Sequence, residues 1–168
     1  MRADENDLEL DSSSAQDQYL LFLVGGVLYG VEALKAQEIV EYSSITKVPM
    51  MNSFVKGVTN IRGNIVPVID LLDRFKLGET KIADKTSIVV INYTKDDEIM
   101  PIGIIIDEVY EVDSIEQNNL KKAPEFGSKI DAKYILHMGK YDKEYIAILN
   151  TNTILNVDEL SQLALLKR

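Results

Sequence analysis

No cysteine occurs anywhere in the chain, which excludes disulfides, thiolate nucleophiles and cysteine-held metals and leaves the fold without a covalent staple. Histidine is nearly absent as well: His137 stands alone between Leu136 and Met138, so neither a histidine metal cluster nor a Ser/His/Asp triad can be assembled. Its β-rich setting is also wrong for a phosphoacceptor, and a structural role is expected. Long apolar runs are missing too. Stretches such as Ile102–Ile106 are strand-sized, far short of the ~20 residues a membrane helix needs, so no span is expected. The glycines make no phosphate cradle or dinucleotide fingerprint, since Gly139-Lys140 lacks the preceding glycine and the following Ser or Thr. Basic residues are outnumbered 18 to 27, for a net charge of −9, and form no stripe, which disfavours nucleic acid and anionic membranes as partners. No cofactor and no metal is expected.

What remains is a chain of 168 residues, 46% of them apolar, enough for one moderate core or two small ones sharing an interface. Charge is uneven. Residues 1–17 carry six acids (Asp4, Glu5, Asp7, Glu9, Asp11, Asp17) against Arg2, include Ser12-Ser13-Ser14, and read as a disordered acidic tail rather than a secretory signal.

From Gln18 onward, β-rich runs alternate with turn signals. Tyr19–Val24, Gly25-Gly26 and Val27–Val31 read as a hairpin, followed by a strand at Ile39–Tyr42. Asn52–Val55 can form one helical turn, and Asp70–Phe75 a short helix. Between them, Gly57–Ile61 and Ile65–Ile69 flank Arg62-Gly63-Asn64, with Gly63 and Asn64 supplying the positive φ of a tight hairpin turn. Leu77–Lys85 is the best internal linker. The second half repeats the order of the first, with Thr86–Tyr93, Met100–Ile106, Val109–Ile115, a loop at Gln117–Gly127, the pair Tyr134–Lys140 and Glu144–Asn150, and a helix-like Asn152–Leu155. The echo extends to Glu38–Tyr42 against Glu108–Val112, each running toward a proline. Short strands without long crossover helices predict small antiparallel barrels, and the unalternating Ile102–Ile106 should be buried on both faces where they meet. Asn156, three residues before Glu159, has capping-box spacing and starts an amphipathic helix carrying Leu160, Leu163, Ala164 and Leu166. The expected division is a tail over 1–17, a main domain over 18–155 with subdomains near 19–76 and 86–155 that exchange elements, and a helix over 156–168 packed on the body.

Catalytic constellations are weak. Asp96, Asp97, Asp107 and Glu108 would need a convergent pocket to make a small acid-dependent hydrolase, and turn acids more often face water. Contact features are stronger. Arg62 is held out at a hairpin tip, although an ordinary solvated turn arginine looks the same in sequence. Phe126, within Lys121-Lys122-Ala123-Pro124-Glu125-Phe126-Gly127, is an aromatic among charges that needs either its own core or a partner.

Together Gln37-Glu38-Ile39, Val55-Lys56-Gly57-Val58-Thr59-Asn60-Ile61-Arg62-Gly63, Ile65–Leu71 and Gly103–Val109 closely resemble the CheW family of chemotaxis coupling proteins, in order, over roughly Gln18 to Leu155. The resemblance implies a mainly β fold of two intertwined five-stranded SH3-like barrels, with short helices and a C-terminal helix, and a non-enzymatic adaptor. Such an adaptor joins the cytoplasmic tip of methyl-accepting chemoreceptors to the regulatory domain of the histidine kinase CheA. It implies a cytoplasmic protein recruited to membrane-associated arrays, a monomer when alone. Glu38, Ile39, Val40, Lys56, Gly57, Val58 and Arg62 match the receptor-facing positions, and Lys121, Glu125 and Phe126 the kinase-facing loop. Ala33 and Ala36 depart from the family in being small. A CheW-like adaptor of another motility pathway would carry the same residues.

Overall fold

The computed structural model describes residues 17–125 and 127–166, so the expected acidic tail, apart from Asp17, lies outside the described residues, as does Phe126. Strands β1 (Gln18–Val24) and β2 (Val27–Glu32) form the first hairpin, and β3 (Ala36–Glu41) follows a 3-10 turn. A second hairpin, β4 (Val55–Ile61) and β5 (Asn64–Asp70), leads into the four-residue helix α1 (Leu71–Arg74). The pattern then repeats with hairpin β6 (Ser87–Lys95) and β7 (Glu98–Ile106), strand β8 (Glu108–Ser114), the short β9 (Leu120–Lys121), hairpin β10 (Ile135–Tyr141) and β11 (Glu144–Leu149), and helix α2 (Val157–Leu166).

These strands make two sheets, ordered β8-β1-β2-β11-β10-β9 and β3-β6-β7-β5-β4. Each sheet joins a single strand to a hairpin, and that hairpin runs parallel to one strand of another, through β2 with β11 and β5 with β7. The echo seen in sequence occupies equivalent places, because β3 and β8 are the strands paired to the hairpins β6–β7 and β1–β2. The hairpins are exchanged. β1–β2 precedes β3 in the chain yet pairs with β8, while β6–β7 pairs back to β3. The 77–85 connection therefore lies within the second sheet.

Side-chain alternation explains why the central strands are apolar on both faces. In β1, Leu20, Phe22 and Val24 enter a core shared by both sheets, whereas Tyr19 and Leu21 fill the interior of the first barrel. In β6, Val89 and Ile91 face the shared core, while Ile88 and Val90 face the second barrel's interior with Ile61, Val66, Val68 and Ile105. Ile102–Ile106 lies in β7, with Ile102, Ile104 and Ile106 turned to the shared core.

Two expected helical turns are absent. Residues 52–55 make a turn, with the Val55 amide donating to the Asn52 carbonyl at 3.0 Å, because Val55 is already paired to Ile69 as the first residue of β4. Residues 152–155 are turn and bend, since the helix waits for the reciprocal cap one residue later: the Glu159 amide donates to Asn156 Oδ1 and the Asn156 amide to Glu159 Oε1, both at 2.8 Å. Leu160 and Leu163 of α2 are buried, while Ala164 and Leu165 are exposed.

Candidate functional site

Arg62 and Gly63 are the two central residues of the β4–β5 turn, at φ 53° and 84°, between the pair Ile61 and Asn64. The left-handed residue beside Gly63 is thus Arg62 rather than Asn64. A two-residue hairpin requires both central residues in that region, and the register fixes which two they are. Asn60 stabilises the turn by accepting the Gly63 amide at 2.9 Å.

The Arg62 side chain is 79% exposed and places Nε 3.1 Å from Glu38 Oε2. β3 and β4 are the two ends of the five-strand order, so this contact marks the curling of that sheet into a barrel. Nε is not aligned as a hydrogen-bond donor. Glu38 Oε2 is buried and accepts no hydrogen bond among the described residues. The desolvated carboxylate oxygen is compensated by the charge of the cation above it, which ties Arg62 to β3 without a well-aligned hydrogen bond.

Alternation along β3 separates its two apolar candidates. Ile39 is 43% exposed and on the outer face. Val40 packs inward against the interior cluster of the second barrel, so it supports the outer face rather than lining it. Val58 is half-buried and lines a shallow groove of about 400 Å³ with Ser43, Ser44, Thr46, Asn60 and Ile65, running toward the Arg62 turn.

Gly57 serves the chain's own packing. At φ 144°, a Cβ there would lie 2.0 Å from the Thr46 carbonyl oxygen, and Thr46 and Val58 exchange backbone hydrogen bonds of 2.8 and 2.9 Å beside it. Lys56 is drawn away from Arg62 to the other end of β4, where its Nζ lies 3.3 Å from Asp73 Oδ2 and 3.2 Å from Glu79 Oε2. Partial burial, the largest influence, pulls the Lys56 ammonium down. Hydrogen bonds to Glu79 and Asp73 with their charges outweigh it and leave the pKa raised.

Of the remaining candidates, Lys121 lies on the other sheet. Lys121 is exposed in β9, paired to Met138, and Glu125 is exposed in the loop beyond it, next to Phe126, which is outside the described residues.

Sequence reasoning missed the polar pins beneath this surface. Arg74 donates from Nε to the Ile154 carbonyl at 2.7 Å, grips Glu159 through Nη1 and Nη2 at 3.0 and 2.8 Å, and stacks 4.3 Å over Phe54. Buried Asp70 accepts from the Leu72 amide and from both the amide and the hydroxyl of Thr80. Glu159 was legible as a cap, but its pairing with a residue 85 positions away was not.

The acids of the hydrolase reading do not converge. Asp96 and Asp97 form the β6–β7 turn, while Asp107, which accepts the Gly26 amide at 2.8 Å, and Glu108, 3.6 Å from Lys85 Nζ, stand beyond the far end of nine-residue β7, roughly 30 Å away. Among the described residues no group of three or more His, Cys, Asp or Glu could hold a metal ion, and no helix is long and apolar enough to cross a membrane. What the surface offers is ion pairing and apolar contact.

Comparison with known proteins finds relatives across most of the chain. The chemotaxis protein CheW of Klebsiella aerogenes is 29% identical over 153 residues, covering 91% of this chain and 90% of that protein. The CheW of Bacillus subtilis is 32% identical over 140 residues, covering 83% and 87%. The crystal structure of the scaffolding protein TtCheW from Thermoanaerobacter tengcongensis superposes with a TM-score of 0.77 at 29% identity, covering 86% of this chain and 90% of that one. The family model described as a CheW-like domain matches residues 18–159, and the chain belongs to the CheW family of chemotaxis scaffold proteins.

Proposed function

We propose that the chain is a cytoplasmic, non-enzymatic adaptor that couples the tip of methyl-accepting chemoreceptors to the regulatory domain of the histidine kinase CheA and takes its place in membrane-associated arrays. The observation that carries this reading is the separation of the two candidate surfaces. Arg62, Glu38, Ile39 and Val58 belong to the hairpin and strand of one sheet, and Lys121 to the other with Glu125 in the loop that follows it, with a single core between the sheets. A molecule with two faces on one rigid body can bias one partner by the state of the other, provided each binds differently in its signalling states.

On the receptor side, Arg62, anchored by Glu38, presents fixed donors to a carboxylate or carbonyl, and Ile39 and Val58 supply apolar area for a helix. On the other face, Lys121, Glu125 and Phe126 meet the kinase.

The test is CheA autophosphorylation with a purified receptor fragment, with and without this protein. Receptor-dependent control appears only with the wild-type chain, and Arg62→Ala loses most of it while folding normally. Unchanged control with Arg62→Ala would remove that residue from the reading, and the absence of any control would remove the function.

A further inference from the structure

Lys121 and Lys140 project from the outer face of β9 and β10, beside Met138 and Tyr145 in the strand register, while their neighbour Leu120 turns into the first barrel. Neither lysine makes an ion pair among the described residues. β9 is two residues long and ends its sheet, so its outer edge has no partner strand among the described residues. Met138 and Tyr145 continue into an apolar groove of about 450 Å³ whose walls include Val27, with Lys129 at its edge. Met138 packs against the shared core, so the exposed apolar surface is that of Tyr145 and Val27, with cations at its border.

The described chain begins close to it. The Asp17 carbonyl accepts the Ile115 amide at 3.0 Å, and the Ile115 side chain lies inside the first barrel against Gly139, so the tail starts near β10 but on the side opposite Met138 and Lys140 and reaches their face by rounding the β9 edge. Sixteen residues precede Asp17, with five acids against Arg2. Within them Asp7-Leu8-Glu9-Leu10-Asp11 alternates strictly, so an extended backbone would put both leucines on one side and the three acids on the other. That is the complement of an apolar strip edged by lysines. Six residue steps from Asp17 to Asp11 reach up to about 20 Å, so the tether allows the contact.

We propose that residues 1–16 dock in cis on this lysine-bearing face, and that in doing so they compete with the kinase regulatory domain for Lys121. The competition rests on the adaptor reading above; the docking does not. Surface ion pairs are individually weak, but a tether of this length holds the segment at an effective concentration on the order of millimolar, enough for partial and reversible occupancy. Glu125, exposed in the loop just beyond β9, repels the acidic segment and favours the row between Lys121 and Lys140.

The absence of native cysteine makes the docking directly measurable. A nitroxide on Ser13→Cys of the full chain is the sole label, and its broadening of backbone amide signals is read by NMR. Lys121, Met138 and Lys140 broaden at low salt and recover at about 0.5 M salt, and they no longer broaden when Lys121→Glu and Lys140→Glu are added. No broadening there at low salt, or broadening indifferent to those substitutions, overturns docking. Broadening seen only between labelled and unlabelled molecules assigns the contact to a second copy and overturns docking in cis. Neutralising the five tail acids to amides tightens binding to the kinase regulatory domain about twofold or more. Unchanged affinity with docking present overturns competition alone, whereas no binding by either form overturns the adaptor reading and leaves docking to be judged by the nitroxide.

Discussion

Arg62 occupies a backbone conformation that costs a side-chain-bearing residue roughly 1–2 kcal/mol and glycine almost nothing. The turn would be at least as stable with glycine there, so the cation is held against local preference. Arg62→Gly should keep or slightly raise the urea midpoint while losing receptor control, and a clear drop in midpoint would show that the Glu38 contact is structural instead. Gly57 is the converse. Because a Cβ there would collide with the Thr46 carbonyl, Gly57→Ala should lower stability by about 2 kcal/mol or more in denaturant titration, and any loss of binding should follow that displacement of the 43–46 segment.

Alkaline pH tests other single residues. Lys56 has its pKa raised above 10.5, while burial raises Tyr19, Tyr29 and Tyr93 above 10.0, with Glu32 and Asp17 adding to Tyr19. In each the protonated form is favoured by folding. That stability is full below the unfolded pKa and is lost as pH rises through the folded value. The urea midpoint should therefore fall above about pH 10, less steeply in Lys56→Met. A midpoint that climbed there would contradict the assignment. At this scale the turn itself was readable, because Gly63 between β-branched runs has few alternatives. Glu38 beneath Arg62, Val40 turned inward and Lys56 drawn to Asp73 and Glu79 were not, because each depends on barrel closure or strand parity rather than on neighbours in sequence.

Among the elements, α2 was the most legible. Asn156 and Glu159 announced its start, and Leu160 and Leu163 its buried face. The short segments 52–55 and 152–155 were not, since one turn of helix has almost no intrinsic stability and yields to strand pairing or to a nearby cap. What fixes α2 to the body is the two-pronged grip of Arg74 on Glu159, with both side chains largely buried. Arg74→Ala leaves Glu159 desolvated and strips a cation from the faces of Phe54 and Tyr134, for an expected loss of about 3 kcal/mol in denaturant titration. Arg74→Lys should recover only part of this, because an ammonium cannot make the paired contact. Full recovery by lysine would show that charge alone matters.

For the whole molecule, neither sheet is built from a contiguous stretch, and one core joins both. Unfolding should therefore be a single transition. Tyrosine fluorescence and far-ultraviolet circular dichroism are expected to give coincident urea curves, and two separated midpoints would mean that the sheets are independent. The repeat was visible in sequence through Glu38–Tyr42 and Glu108–Val112. The exchange of hairpins was not deducible from those residues, since β1 and β6 have similar apolar patterns and nothing local says which single strand each will join.

That exchange also sets an order of events during synthesis. The β1–β2 hairpin leaves the ribosome long before the strand it pairs with, because β8 begins at Glu108. At ordinary elongation rates of about 5–20 residues per second the wait is roughly 4–15 seconds. Throughout it Leu20, Phe22 and Val24 have no complete core to enter. The nascent chain thus carries a greasy, half-paired hairpin while β8 is still to be made, closely preceded by the most acidic segment of the sequence, whose mutual repulsion disfavours the meeting of two such hairpins on neighbouring ribosomes.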